Sequence, residues 1–370
     1  MSVSTLRDTL YAITSCCFPN PTIQINKRTF KVIRLLGEGG YSFVYLVQDV
    51  PTGRLYALKK IRCPPGDQQA VSDAMREVDM YRMFQHDNII KLLNTSITTE
   101  RDGTKIVYMF LPYYKRGNLQ DSINANNLTK THFPEQDLLR FFRKICYAVR
   151  VLHSYRLPKV AMRNLEEEAN PDSGFAQNTM PNAPYYYTQQ PSEEDDESSQ
   201  QEEGAPVPFA HRDLKPGNIL IADDGLTPLL TDFGSIKRAR IPVKSRRDAM
   251  MQEELAAEYS TMPYRAPELY EVQPGKELNE KVDIWSLGCL FFATAYGQSP
   301  FEASSQEMGG SMSLAILNGN YKFPPAEQDP YSESVRDLIK FILTIDPSER
   351  PDIHAVIQKL DGMLEEQAAA

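Results

Sequence analysis

Basic residues are outnumbered in this sequence. Its 40 lysines and arginines face 49 aspartates and glutamates, leaving a formal net charge of -9. A general nucleic-acid binder needs a basic surface to neutralise phosphates, so that class is set aside. Cysteine is scarce too. There are 5 in 370 residues, and only Cys16 and Cys17 are close in sequence. Cys63, Cys146 and Cys289 stand apart, no Cys-x-x-Cys pair occurs, and no histidine sits at metal-ligand spacing from a cysteine. A disulfide framework and a zinc module are therefore not expected; reduced thiols in a cytosolic setting are. No apolar run approaches the roughly 18 residues of a spanning helix. The N-terminus has neither the basic start nor the long apolar centre of a secretory signal. No internal repeat is present. What remains is a chain 41% hydrophobic, enough for one large or two modest cores.

The chain changes character along its length. Val3, Leu6, Leu10 and Ile13 recur at helical spacing, so a short amphipathic helix is expected before Cys16 and Cys17, stopped by Pro19 and Pro21. From Phe30 the pattern is strand-like. Lys31–Leu36, Phe43–Val47 and Leu55–Lys59 read as three strands, with Pro51, Thr52 and Gly53 as a turn. A helix is expected over Gln68–Phe84, then strands near Lys91–Ile97 and Lys105–Leu111. Beyond Gly117 the pattern turns mainly helical: Glu135–Tyr155 carries Leu138, Leu139, Phe142, Ile145, Val149 and Leu152 as one buried stripe, and Val282–Tyr296, Tyr331–Thr344 and Ile353–Leu364 read as further helices. Residues of about 156–207 break this order with acidic and polar runs. They are read as a disordered acidic insert, and the plain reading is a solvated loop. Ser192, Ser198 and Ser199 are candidate sites for an acid-directed kinase. A second charged run, Lys237, Arg238, Arg240, Lys244, Arg246 and Arg247, reads as a solvated basic loop; acidic substrate or lipid is the alternative partner.

The chemistry concentrates in His211-Arg212-Asp213-Leu214-Lys215-Pro216-Gly217-Asn218, followed by Asp232-Phe233-Gly234. A carboxylate, an amine and an amide share one short loop, and a second carboxylate follows. Phosphoryl transfer needs that set: an acceptor for the substrate hydroxyl proton, a cation for the moving phosphate, and oxygen ligands for Mg²⁺. Upstream, Gly37, Glu38, Gly39, Gly40, Tyr41, Ser42, Phe43 and Val44 form a glycine-rich hairpin between two strands. Such glycines let backbone N–H groups approach phosphates. Alone that loop is weak evidence; the octet with Asp232-Phe233-Gly234 at this distance is highly specific.

From about Phe30 to Leu364, outside the insert, the chain resembles a eukaryotic protein kinase. The resemblance implies an α+β, bilobal fold: a small lobe of five strands and one helix (residues 29–112), and a larger, mainly helical lobe (113–366). It implies ATP and Mg²⁺ as cofactors and protein substrates with Ser or Thr acceptors. Asp213 becomes the base or orienting carboxylate, Lys215 the cation on the transferring phosphoryl, and Asn218 and Asp232 the metal ligands. Lys59, with Lys60 as rival, contacts the nucleotide phosphates beside Ala57, and Glu77 holds Lys59 in place, Asp79 being one of several exposed helix acids in the alternative. Leu111, Pro112 and Tyr114 line the adenine connector, with the Pro112 C=O accepting and the Tyr114 N–H donating. Arg212 would pair with a phosphate on the activation segment. Thr261 has two readings, a phosphosite or a hydroxyl that bonds Asp213 and Lys215; Ser260 and Tyr259 are further phosphosite candidates. Glu268 with Arg350, and Asp283, are expected as structural supports. Lys215 and Thr261 match the Ser/Thr group. A partner-binding scaffold without turnover is the rival reading, and the complete set of polar groups speaks against it.

More narrowly, Gly37–Val44, Tyr56–Ile61, Arg76–Phe84 and Leu111–Gly117 resemble the Numb-associated kinase family, and within it the lipid-anchored branch with its myristoylated and palmitoylated animal member and its fungal vacuole-membrane relative. That implies autophosphorylation and work on the cytoplasmic face of a vacuolar, Golgi or endosomal membrane, in trafficking or fusion. Residue 2 is Ser2, so the glycine that N-myristoylation requires is missing. Cys16 and Cys17 are the candidate S-acylation sites of a membrane-targeting segment over residues 1–28, and two acyl chains supply the two signals that stable anchoring needs. Free surface thiols are the alternative. The minimal family domain has no counterpart to the acidic insert.

Overall fold

The computed structural model describes residues 21–39, 42–157, 206–302 and 310–369. The expected N-terminal helix, Cys16, Cys17, Gly40, Tyr41 and the three insert serines lie outside them. The chain divides into two compact units, Met1–Arg82 with Ile90–Tyr113, and Met83–Ile89 with Tyr114–Ala370.

The first unit is an antiparallel sheet with one helix. Its strands are β1 (Thr22–Ile25), β2 (Arg28–Glu38), β3 (Ser42–Asp49), β4 (Leu55–Cys63), β5 (Asn94–Thr99) and β6 (Lys105–Pro112), in the order β1-β2-β3-β4-β6-β5. The sheet therefore has six strands where five were expected. The extra one is β1, whose Ile25 pairs with Arg28. Asn26 (φ 49°) and Lys27 (φ 64°) both occupy the left-handed region, which is what a two-residue hairpin turn matched to strand twist requires. Alternate residues of these strands face one side. Ile25, Phe30, Val32, Val47, Leu58, Ile106, Tyr108 and Phe110 form its core, with the Phe30 and Phe110 rings 5.0 Å apart. Helix α1 (Gln68–Met83) buries Ala74, Glu77, Val78, Asp79, Met80 and Tyr81. Asp79 is thus not an exposed helix acid: burial raises its carboxyl, against the opposing pull of Arg82.

The second unit is mainly helical: α2 (Leu119–Thr129), α3 (Glu135–His153), α4 (Arg246–Tyr259), α5 (Lys281–Tyr296), α6 (Met312–Leu317), α7 (Glu333–Ile342) and α8 (Ile353–Ala369). Every residue of α5 from Val282 to Ala295 is buried, as expected of a helix apolar all round. The α3 stripe packs on it, Phe142 stacking on Phe291 at 4.2 Å. Short strand pairs carry the loops: β7 (Phe209–Ala210) with β10 (Lys237–Arg238), β8 (Ile219–Ile221) with β9 (Pro228–Leu230), and β11 (Ile241–Pro242) with β12 (Glu277–Leu278). Where the acidic segment leaves and returns, Arg156 bridges Pro206 and the Val207 N–H donates to the Tyr155 C=O at 2.9 Å.

The basic run is not simply a loop. Its last two arginines open α4, whose N-cap Ser245 accepts from the Asp248 N–H while the Asp248 carboxylate accepts from the Ser245 N–H. That reciprocal box satisfies donors a helix start leaves open. Cys63, Cys146 and Cys289 are buried free thiols, each pushed up by burial.

Candidate active site

In the sheet unit, strand register gathers the nucleotide-site candidates. Gly37 pairs with Val44, and the Gly39 N–H donates to the Ser42 C=O at 2.8 Å, closing the hairpin. Val44 pairs with Lys59. Ala57 lies opposite Leu111, and Pro112 opposite Tyr56. Lys59 Nζ donates to Glu77 Oε1 at 2.7 Å, with the two residues only 9% and 4% exposed. Lys60 follows in the strand, where successive side chains point to opposite faces. Tyr114 opens the longer segment of the second unit.

In the helical unit, Asp213 is the hub. Its Oδ1 accepts from the Thr261 N–H at 2.9 Å and the Thr261 hydroxyl at 2.7 Å. Its Oδ2 lies 2.8 Å from Lys215 Nζ and accepts from Asn218 Nδ2 at 3.1 Å. Lys215 Nζ also donates to Thr261 Oγ1 at 2.8 Å. The Thr261 side chain therefore occupies the position of its second reading, between ammonium and carboxylate.

Buried Asp283 on α5 holds the loop from below. It accepts from the backbone N–H of His211 (2.7 Å) and of Arg212 (2.8 Å), and lies 3.0 Å from His153 Nε2. Burial pushes its carboxyl up, but the bond and charge of His153 and the Arg212 N–H prevail and hold it below the usual value. These two bonds fix the backbone at Arg212, a non-glycine residue at φ 69°, a conformation that costs free energy unless its surroundings enforce it.

Asn218 and Asp232 sit on turns tied to each other. The Thr231 N–H donates to the Asn218 C=O at 3.0 Å, His211 Nε2 lies 3.2 Å from the Thr231 C=O, and Ser235 Oγ donates to the His211 C=O at 2.6 Å. Asp232 itself is left-handed at φ 65°. Because Asn218 Nδ2 is committed to Asp213, its Oδ1 is the atom the amide can offer a cation. Among the described residues no group of three or more His, Cys, Asp or Glu could hold a metal. A cation here would take two protein oxygens and complete its shell with phosphate and water, which is the habit of Mg²⁺. The donor set fits.

Arg212 is buried, and burial lowers its pKa; its Nε has no hydrogen-bond partner among the described residues. It lines a cavity of about 10 Å³ with Lys237, Tyr259 and Ser260, room for about one water. Lys237 Nζ sits 4.8 Å above the Tyr259 ring. Ser260 donates to the Ala256 C=O and accepts from Arg265 Nε. Glu268 and Arg350 form the expected pair, bidentate at 2.7 and 3.0 Å. One support went unread in the sequence. Phe84 meets Tyr155, Phe209 and Phe233 edge-on at 5.4, 5.4 and 6.4 Å, so rings from three separate segments back the Asp232-Phe233-Gly234 turn; no periodicity links them.

The family model described as the protein kinase domain matches residues 30–165 and 207–360. The serine/threonine-protein kinase ENV7 of Saccharomyces cerevisiae is 36% identical over 360 residues, covering 94% of this chain and 96% of its own. Serine/threonine-protein kinase ppk13 of Schizosaccharomyces pombe is 33% identical over 360 residues, 96% of each chain. Serine/threonine-protein kinase 16 of Homo sapiens is 31% identical over 348 residues, 94% of each.

Proposed function

Because the chain belongs to the protein kinase domain family and is a serine/threonine protein kinase, we propose that it transfers the γ-phosphoryl of ATP through Asp213, Lys215 and Lys59. The observation that carries this is the knot at Asp213, where one carboxylate receives Thr261, Lys215 and Asn218 together. All of these donors point at a group whose task is to receive a proton or orient the hydroxyl that carries it. Lys215 is the more exposed partner, its side chain 30% exposed against 12% for Asp213. It would swing to the moving phosphoryl and free Oδ2 for the acceptor hydroxyl. Lys59, fixed by Glu77, would hold the nucleotide phosphates, and the glycine-rich hairpin over Gly37–Val44 would offer backbone N–H groups. Ala57 and Leu111 would wall the adenine, with Pro112 and Tyr114 as backbone partners. Asn218 and Asp232 would hold Mg²⁺, which when bound neutralises charge on the phosphates.

Purified protein given radiolabelled ATP and Mg²⁺ should label itself or a general Ser/Thr substrate. The Asp213→Asn variant should lose at least ~100-fold, the low end for removing a positioned acid–base group. Equal labelling by both would remove Asp213 from its role.

The finer reading places the enzyme on the cytoplasmic face of an internal membrane, vacuolar or Golgi, through S-acylation of Cys16 and Cys17, with a role in trafficking or fusion. The resemblance to the lipid-anchored branch and the adjacency of the two cysteines support it. Cys16→Ser with Cys17→Ser should move the protein to the soluble fraction and leave its activity in solution intact; unchanged membrane association would sink the idea.

A further inference from the structure

The six basic residues from Lys237 to Arg247 share their stretch with no acid: none lies between Asp232 and Asp248. Two of them, Arg246 and Arg247, occupy the first turn of α4, where the helix dipole disfavours a cation. Neither they nor Lys244 forms a side-chain ion pair among the described residues, and all three are exposed. Lys276, also exposed, joins them from just before strand β12: its C=O accepts from the Val243 N–H at 2.9 Å, and its charge also acts on the Asp346 carboxyl.

Helical spacing sets what stands beside the arginines. Residues four apart share a face, so Met250 lies beside Arg246 and Met251 beside Arg247. A solvated helix commonly places an acid there. Here the two methionines are 54% and 51% exposed. The nearest acids are otherwise placed. The Asp248 carboxylate accepts from the N–H groups of Lys244 and Ser245, Glu277 lies opposite Pro242, and Glu280 pairs with Arg240. Glu254 and Glu258 follow Met250 at four-residue steps, so acids border the face one turn beyond the methionines and two turns beyond Arg246.

We propose that this face, Lys244, Arg246, Arg247 and Lys276 around Met250 and Met251, docks on a bilayer surface carrying anionic lipid. Basic side chains meet the headgroups while unbranched thioethers enter the boundary beneath them, the division of labour of an interfacial amphipathic helix. The first turns of a helix are convex, and the side chains of Lys244, Arg246 and Arg247 are long and without an ion-pair partner among the described residues. That suits a plane of many mobile charges better than an acidic peptide, which would need acceptors and donors at fixed places. The contact is separate from S-acylation, since it needs no modified cysteine.

The test uses the full chain produced in bacteria, hence without acyl groups, sedimented with vesicles of phosphatidylcholine alone or mixed with phosphatidylserine. Binding is expected only to the mixture. Arg246→Ala with Arg247→Ala should weaken it about thirtyfold, from the usual contribution of each basic residue near such a surface. Met250→Ser with Met251→Ser should weaken it severalfold, while Arg54→Ala with Arg101→Ala should not. Thermal melts and activity on a soluble peptide should match wild type in every variant. Equal binding to both vesicle types, or an equal loss with the control pair, overturns the proposal. So does an arginine-pair variant that keeps its vesicle binding but loses affinity for an acidic peptide, which would make the face a substrate dock. Failure of the vesicle test leaves the Cys16 and Cys17 reading standing, and the cysteine variant leaves this one standing.

Discussion

The hydroxyl of Thr261 bonds a carboxylate on one side and an ammonium on the other. Hydrogen bonds to charged groups contribute roughly 1.5–3 kcal/mol. Thr261→Ala should therefore lower kcat about tenfold or more, and Thr261→Ser, which keeps the hydroxyl, should restore most of it; steady-state kinetics decide. Asp283 makes a different prediction. Its folded carboxyl lies below the ordinary 3.8, so its contribution to stability is full above that value and is lost as pH falls through the folded one. Asp283→Asn should be less stable than wild type at neutral pH, and the difference should shrink in acid; denaturant melts across that range read it directly. At this scale the sequence was informative because the loop residues are contiguous: once His211–Asn218 is aligned, Lys215 and Asn218 follow as partners of Asp213, while Thr261 had to be read from its own segment and kept two readings. Asp79 was not legible as a buried acid, because it neighbours Val78 and Met80 and its charge alone suggested solvent. The aromatic support of Phe233 was hidden by distance, as Phe84, Tyr155 and Phe209 come from three segments.

Elements with strong apolar periodicity were read nearly to their ends. The stripe from Leu138 to Leu152 belongs to α3, and Val282–Tyr296 was one residue short of α5 at its start. Strand β1, helices α2, α4 and the six-residue α6, and the two- and three-residue strands β7–β12 escaped. Strand β1 is four residues long, and its turn uses Asn26 and Lys27 with none of the glycine that marks such hairpins. Helices α2 and α4 bury little: Leu119 and Ile123 in the first, Ala249, Gln252 and Ala256 in the second. Two buried apolar residues in α2 are too few to set a period, the small or polar buried residues of α4 leave no hydrophobic trace, and a run of positive charge masks the start of α4. Both helices announce themselves through their caps instead, Asn118 with Asp121 and Ser245 with Asp248. Ser245→Ala should lower stability by about 1 kcal/mol, the usual cost of losing an N-cap. Hydrogen exchange should show the loss first at the amides of the first turn of α4, and uniform exchange along the helix would count against the cap.

For the whole molecule, the register of Tyr155 and Arg156 with Pro206 and Val207 matters most. The two ends of the acidic segment meet at one antiparallel bridge and one backbone hydrogen bond, so a short turn can join them. Replacing residues 158–205 by a four-residue turn should leave kinase activity on a soluble substrate unchanged. By loop-closure entropy alone it should stabilise the fold by roughly 2 kcal/mol, read as a shift in the melting temperature; a collapse of activity would show that the segment serves catalysis. The burial of Cys63, Cys146 and Cys289 bears on handling rather than on folding. Their thiols are shielded and resist ionisation, so a maleimide dye added to the native protein has Cys16 and Cys17 as its remaining targets. Dye stoichiometry then serves as a gauge of lipid attachment: two labels on a bare chain, fewer on one whose cysteines already carry thioesters.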